Sequence, residues 1–380
     1  MSDSADIAII GGGPVGSALA LALRASGRKV VLLEARASAA GDARPLALSY
    51  GSRLILERLG VWSELATTAT PIRRIHVSQR GGFGRVELDA AEAGFSELGY
   101  VIDYSRLALA LAEAAAATPV QCLTGAGVIA WHGGSTANIE YAYRGQTYRL
   151  EAQLGVIADG GAATAARTVD YDQCAVTARV VSERPHNNIA YERFTRHGPL
   201  ALLPDANGWA LVWTTTPDRA RSLCEREPAS FLADLQLEFG SRVGAFTAVD
   251  GRASYPLRLR RTLDESAGHT VLIGNAAQTL HPVAGQGFNL GLRDAWELAE
   301  QAATSGRGVS LGSREWLQQY FARRNIDRRG GIGMTHALVQ LFSNDLLPLR
   351  LARGTGLALL GCIPPLKNFL IRRMTFGARG

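Results

Sequence analysis

Gly11, Gly13 and Gly16 stand at G-x-G-x-x-G spacing within Gly11-Gly12-Gly13-Pro14-Val15-Gly16. An apolar run at 6–10 (DIAII) precedes them, and an Ala/Leu-rich stretch at 15–25 follows. In that setting Gly11 permits a tight turn, Gly13 lets the backbone approach a pyrophosphate, and Gly16 lets helix and strand pack closely. The helix opening at Pro14 and Val15 turns its unpaired N–H groups towards the phosphates. Glu34 ends the next apolar run, 29–33 (KVVLL), 18 residues beyond Gly16. A carboxylate there can accept hydrogen bonds from both hydroxyls of a ribose. Strand, glycine turn, helix and terminal acid predict a dinucleotide site without separating NAD from FAD.

A second constellation follows the buried run 271–274 (VLIG). It reads Gly274-Asn275-Ala276-Ala277-Gln278-Thr279-Leu280-His281-Pro282-Val283-Ala284-Gly285-Gln286-Gly287-Phe288-Asn289 and ends in Arg293-Asp294. Gly285, Gln286 and Gly287 open a helix, and the missing side chains let a flat ring lie against the backbone. The dipole of that helix would stabilise negative charge on a reduced flavin near N1 and O2. Asn275 can hydrogen-bond a ribityl or pyrophosphate oxygen. Arg44, before Pro45, and Arg106, near the start of a helix expected at 103–117, read beside these motifs as cofactor contacts.

These motifs, with Ile75-His76-Val77-Ser78 and Tyr191-Glu192-Arg193-Phe194-Thr195-Arg196-His197-Gly198-Pro199-Leu200-Ala201, resemble the class A flavoprotein monooxygenases of the p-hydroxybenzoate hydroxylase type. Within that family the chain most resembles the ubiquinone-biosynthesis hydroxylases, in their 2-octaprenyl-6-methoxyphenol 4-hydroxylase branch. The resemblance covers nearly the whole chain and is weakest after residue 330. The broader family carries Asp-Ala-Ala-His where this chain has Asn275-Ala276-Ala277-Gln278, a pattern shared with the 4-hydroxylase branch. In the middle motif Asp159-Gly160 is kept, Ala163 replaces a Ser, and the Arg is displaced to Arg167.

The resemblance implies FAD as cofactor, with NAD(P)H and dioxygen as cosubstrates, and hydroxylation of a prenylated phenol in ubiquinone biosynthesis through a flavin C4a-hydroperoxide. It implies cofactor contacts at Gly11, Gly13, Pro14, Val15, Gly16, Glu34, Arg44, Arg106, Val128, Asp159, Asn275, Ala276, Pro282, Gly285, Gln286, Gly287 and Asn289. No second G-x-G-x-x-G with a following acid occurs, which agrees with transient NAD(P)H binding. The phenol pocket is expected between the flavin and an antiparallel sheet, with His76, Tyr191, Arg193, Phe194, His197 and Leu202 as candidates. A His or Tyr there could assist removal of the phenol proton. His281 and Pro282 fall beside the flavin ring, where His281 is either catalytic or a loop cap. Other flavin chemistry on the same fold remains open, with a different aromatic or an isoprenoid double bond as substrate, as does a non-catalytic FAD-binding scaffold.

The elements that must position these residues follow from periodicity. The runs 6–10 and 29–33 around a helix form a βαβ unit, 154–158 adds a buried strand, and 51–60, 103–117 and 288–303 read as helices. Residues 171–262 hold alternating stretches such as CAVTARVV and WALVWTTT, which read as an antiparallel sheet. The expected fold class is α/β: a Rossmann-like FAD-binding domain (1–70, 101–168 and 263–330), an inserted antiparallel-sheet substrate domain (71–100 and 169–262), and a C-terminal helical segment (331–380).

Composition bounds the partners. The net charge is +6 over 380 residues, but Arg is scattered until the last third and no basic stripe is interleaved with aromatics, which argues against nucleic acid. Cys122, Cys174, Cys224 and Cys362 lie far apart without zinc spacing, so reduced thiols and no metal are expected. The N-terminus shows no basic n-region, and no 18-residue apolar run is free of charge, so a cytoplasmic chain is expected. From Pro348 to the C-terminus there are six basic residues (Arg350, Arg353, Lys367, Arg372, Arg373, Arg379), no acid, and interleaved Leu, Ile and Phe. That segment either meets anionic lipid at the inner membrane or packs within the protein, in a homo-oligomer or against other ubiquinone-biosynthesis proteins.

Overall fold

The computed structural model describes residues 4–37, 44–161, 166–262, 266–279, 286–306, 308–342 and 347–377. Ser4–Ile10 and Val30–Glu34 are adjacent parallel strands joined by the helix Pro14–Ala22. The strands are covered on both faces, which is why they read as continuous apolar runs without alternation.

They belong to a seven-stranded sheet ordered Gln121–Thr124, Val30–Glu34, Ser4–Ile10, Gln146–Ile157, Ala137–Tyr143 and Gly127–Gly133, with Thr270–Leu272 also paired to Gln146–Ile157. The strand Gln146–Ile157 serves two arrangements. Its first half pairs antiparallel with Ala137–Tyr143, and its second half pairs parallel with Ser4–Ile10, closing on Ile10 opposite Ile157. Gly11 and Ala158-Asp159 therefore leave the sheet side by side. A crevice outside the carboxyl ends of parallel strands is the usual ligand position in such sheets. The antiparallel strands 127–143 were not anticipated from sequence; one face of them is exposed, and their apolar pattern is correspondingly weak.

A second sheet has eight strands in the order Gln278–Thr279, Phe246–Thr262, Ala166–Ser182, Gly208–Thr215, Gly198–Asp205, Ile189–Thr195, Arg74–Gln79 and Arg85–Asp89. Its pairs are antiparallel except for Ile189–Thr195 beside Arg74–Gln79. One face packs on the helices Pro217–Glu225 and Pro228–Phe239, around Trp209, Trp213, Phe231 and Leu235. Both helices interrupt the region expected to be all sheet. Each starts with Pro in its first turn, where the missing N–H has no partner to lose. The other face turns to the site.

Pro45–Ser49, Gly99–Asp103 and Thr70–Ile72 make a third, three-stranded sheet. Asp103 precedes the helix Tyr104–Ala116 as expected, but its side chain makes no cap hydrogen bond; its carboxylate pairs with Arg179. Four helices complete the chain: Gln286–Thr304, Arg314–Phe342, Leu347–Cys362 and Pro364–Phe376. Among the described residues no single helix is long and apolar enough to cross a membrane. Ala352–Cys362 and Pro364–Phe376 pass together by length and composition but are bent by 97°.

Candidate active site

One cavity of about 1190 Å³ joins the first sheet to the second. Gly11, Gly13, Pro14, Val15, Glu34, Arg44, Val128, Asp159, Asn275 and Gly287 all line it, so the structure gathers most of the expected cofactor residues into one space. Binding pockets for drug-sized ligands span about 300–1,000 Å³. This volume leaves room for a large cofactor and a second molecule.

The glycine turn fits a dinucleotide. Gly11 has φ +103°, and a Cβ there would lie 2.6 Å from the Ala158 carbonyl oxygen. A Cβ on Gly16 would overlap the Gly11 carbonyl, so both positions exclude a side chain. A Cβ on Gly13 would meet nothing within 4 Å: the turn is open at the position where the helix Pro14–Ala22 begins. Gly12, which the spacing pattern leaves unspecified, is equally constrained, since its Cβ would fall 2.8 Å from Glu34 Cβ.

Glu34 is less available than expected. One carboxylate oxygen accepts from Gly12 N–H at 2.6 Å, and the other accepts from Arg36 N–H at 2.9 Å and Arg36 Nε–H at 2.7 Å. A carboxylate offers about four acceptor positions, so one ribose hydroxyl fits more readily than two. Burial works against the charge, but the hydrogen bonds from Arg36 and Gly12 outweigh it and hold the carboxyl below its ordinary pKa. Arg44 stacks over the Tyr255 ring at 4.9 Å, and Asp159 accepts from Gly161 N–H at 2.8 Å.

Four expected cofactor residues sit otherwise. Arg106 is exposed on its helix and does not line the cavity. Asn289 is buried away from it: Oδ1 accepts from Ser49 N–H at 2.8 Å and Ser52 Oγ at 2.6 Å, while Nδ2 donates to the Ala47 carbonyl at 3.0 Å. It fastens the helix Gln286–Thr304 to the strand Pro45–Ser49. Ala276 and Gly16 are packing positions beneath the cavity floor. His281, Pro282 and Gly285 lie outside the described residues, as does the side chain of Gln286.

The late loop is anchored by an ion cluster that spacing did not reveal. Asp294 Oδ2 accepts from Gly274 N–H at 3.3 Å. Arg324 and Arg328 reach the same carboxylate from the helix Arg314–Phe342 at 2.7 and 2.9 Å. Asp327 then bridges Arg324 at 2.8 Å and Arg293 at 3.0 Å. Burial opposes the Asp294 charge, yet the Arg328 and Arg324 guanidiniums hold its carboxyl below the usual range.

The far wall follows the alternation of a strand. Along Ile189–Thr195, Ala190, Glu192 and Phe194 face the cavity, as do Ile75 and Val77 on one neighbour and Ala201 and Leu203 on the other. The opposite parity faces the helices. The His76 ring packs 5.6 Å from that of Tyr191, whose ring also meets Trp209 and Phe239. Arg193 donates to the Glu238 carbonyl, and Leu202 is core. His197 sits in the turn beyond, beside Arg196. Of the expected substrate residues, Phe194 presents its side chain to the cavity. Tyr191 also lines it, although its ring meets Trp209 and Phe239 on the helix side, and His76, Arg193, His197 and Leu202 do not line it. His76 is buried, its ring nitrogens have no hydrogen-bond partner among the described residues, and burial lowers its pKa. Glu192 is the polar group that sequence reasoning passed over. It lines the cavity, and burial pushes its carboxyl up to about 7.

Comparison with known proteins agrees with this architecture. The FAD binding domain family matches residues 4–327. The ubiquinone hydroxylase UbiL of Rhodospirillum rubrum is 35% identical, over 97% of this chain and 89% of that protein. The 3-demethoxyubiquinol 3-hydroxylase of Escherichia coli is 34% identical over 93% of each. Among solved structures, p-nitrophenol 4-monooxygenase PnpA of Pseudomonas putida superposes with a TM-score of 0.77 at 18% identity, covering 100% of both chains. That likeness speaks for the fold. With a dinucleotide turn, a late glycine loop and one cavity between two sheets, this chain belongs to the FAD binding domain family, among the flavoprotein monooxygenases related to the ubiquinone hydroxylases.

Proposed function

We propose that this protein is an FAD-dependent monooxygenase that hydroxylates the ring of a prenylated phenol in ubiquinone biosynthesis, using NAD(P)H and dioxygen. The observation that carries this reading is the continuity of the cavity. It begins at Gly11, Gly13 and Glu34, passes Asn275 and Gly287, continues along the apolar face of the second sheet, and ends under Leu357, Leu360, Leu370 and Met374 of the last two helices. A cofactor at one end and a ring with an apolar tail at the other fit that sequence of surfaces. The hydroxylase names of the relatives support the substrate class.

Bound FAD supplies the redox chemistry, accepting a hydride from NAD(P)H and passing electrons to dioxygen for ring hydroxylation. The chain's own residues do the rest. The turn at Gly11 to Gly16 and the Glu34 carboxylate hold the dinucleotide. Asp294 fixes the loop at Gly274, and with it the start of the helix carrying Gly287. Ile75, Val77, Ala201 and Leu203 exclude water and hold the phenol ring flat against its wall. In the same reading, residues 1–70, 101–168 and 263–330 are the cofactor domain, and 71–100 with 169–262 the substrate domain.

Membrane contact belongs to this proposal. Leu359, Leu366 and Phe369 are exposed on the helices that roof the cavity, Ile363 is exposed at the break between them, and Arg372 is exposed beside them. An apolar surface with basic residues suits the headgroup region of an anionic bilayer, where a prenylated substrate resides.

The test is direct. Purified protein should be yellow and oxidise NAD(P)H faster when a short-chain prenylated phenol is added, and oxygen-18 from dioxygen should appear in the ring. Protein that stays colourless with added FAD, or phenol-stimulated oxidation without ring oxygenation, refutes the reading.

A further inference from the structure

Among the described residues, the apolar wall of the second sheet carries one carboxyl group. Glu192 stands in the middle of Ile189–Thr195, with Ala201 and Val77 as register neighbours and Ala190 and Phe194 before and after it on the same face. Among the described residues it has no hydrogen bond and no ion pair. A half-buried carboxyl set without a partner among apolar side chains costs stability, so a purely structural role leaves it unexplained.

The other charged side chains on this cavity are engaged elsewhere. Glu34 and Arg36 bind each other, Asp159 accepts from Gly161 N–H, Arg44 stacks on Tyr255, and Arg258 pairs with Asp170. On the strands flanking Glu192, Arg74 pairs with Glu87, and Arg193 is turned to the Glu238 carbonyl. From the C-terminal helices, Lys367 pairs with Glu92, and Arg353 is buried and does not line the cavity. Among the described residues, Glu192 thus faces the cavity without a competing charge.

We propose that Glu192 is the catalytic residue that accepts the hydrogen bond of the substrate's ring hydroxyl and takes its proton as the ring is oxygenated; this rests on the hydroxylase reading. The phenol O–H bond breaks, the proton moves to the carboxylate, and the electron pair stays on the phenol oxygen and enriches the ring. The ring carbon that gains oxygen loses its hydrogen as a proton to water. The phenol oxygen then recovers a proton from Glu192, which ends the turnover as it began. The oxygen atom comes from dioxygen and the electrons from NAD(P)H, as in the proposed reaction. Burial among apolar side chains lifts the carboxyl to about 7. That brings it closer to a phenol, ordinarily near about 10, and makes it a stronger base at neutral pH.

The experiment compares wild type with Glu192→Gln and Glu192→Asp, using a 2-methoxyphenol that carries one prenyl unit, between about pH 6 and pH 9. FAD affinity should be equal in all three. Glu192→Gln should lose about 10²-fold or more in kcat at neutral pH, and recover as pH rises towards the phenol's own ionisation. Glu192→Asp should keep a pH-dependent rate. Wild-type kcat and pH profile in Glu192→Gln would overturn the assignment. A wild type that binds FAD but never oxygenates the phenol would instead sink the hydroxylase reading. Glu192 is then judged by binding of 4-nitrophenol: the pH midpoint of the bound nitrophenolate band should move in Glu192→Gln, and equal midpoints overturn the proposal.

Discussion

At Gly13 the open side of the turn is a few ångströms of cavity that any side chain would enter. Gly13→Asp should abolish FAD binding, because it puts a carboxylate into the open side of the turn proposed for the pyrophosphate; a fully loaded yellow variant contradicts this. Glu34→Ala removes an acceptor that also organises Gly12 and Arg36. A hydrogen bond to a charged group contributes about 1.5–3 kcal/mol, so FAD affinity by fluorescence titration should fall at least about tenfold. Glu192 has a stability signature besides its chemistry. Its folded pKa is raised, so its contribution is favourable at low pH and lost as pH rises through about 7. Glu192→Gln should therefore melt at a higher temperature than wild type above that pH, and a lower melting temperature would count against the burial described. The glycine turn at Gly11 to Gly16 was legible because glycine spacing encodes backbone shape directly. Glu192 was not, since a single acid in an alternating strand looks like a solvated face until the helices Leu347–Cys362 and Pro364–Phe376 are seen to cover it.

Among elements, the strand Ile189–Thr195 decides which side chains face the cavity. On this strand the favoured Tyr191 and Arg193 share the parity whose side chains pack towards Pro228–Phe239, while Phe194 takes the parity of the cavity. Reading parity requires knowing which face is covered, and both faces of this strand are. His76→Leu should therefore leave phenol-stimulated turnover unchanged and hold or raise stability, because it removes two buried ring nitrogens without partners. A collapse of kcat with the fold intact would show that His76 reaches the chemistry. The helix Arg314–Phe342 matters through its ion cluster. Asp294→Asn removes the carboxylate charge that Arg324 and Arg328 share, leaves Asp327 as the carboxylate of Arg324, and should cost about 3–5 kcal/mol in denaturant unfolding. Because the Asp294 pKa is depressed in the folded state, the stability it contributes is present above the unfolded carboxylate range and lost as pH falls through the folded value. This cluster escaped detection because its five residues span 293–328 and its two halves meet only through helix packing.

Across the whole molecule, the βαβ start, the second sheet and the helical tail were readable, since long buried runs and clear alternation fix element type. The three-stranded sheet of short strands was not, nor was the use of the C-terminal helices as the far end of the cavity. That placement bears on how a water-insoluble substrate arrives. Leu366→Glu with Phe369→Glu should reduce association with anionic liposomes and leave FAD content unchanged, as read by flotation; undiminished flotation would leave those side chains without a lipid role. The alternation of Ile189–Thr195 also constrains the descent of the family. A single inserted or deleted residue in this strand would turn Tyr191 or Arg193 towards the ring and drive Glu192 into the aromatic core, inverting both surfaces at once. Point exchange at Ala190, Ala201 or Leu203 reshapes the cavity wall one side chain at a time, whereas a change of length is tolerable only in the turns that connect the strand.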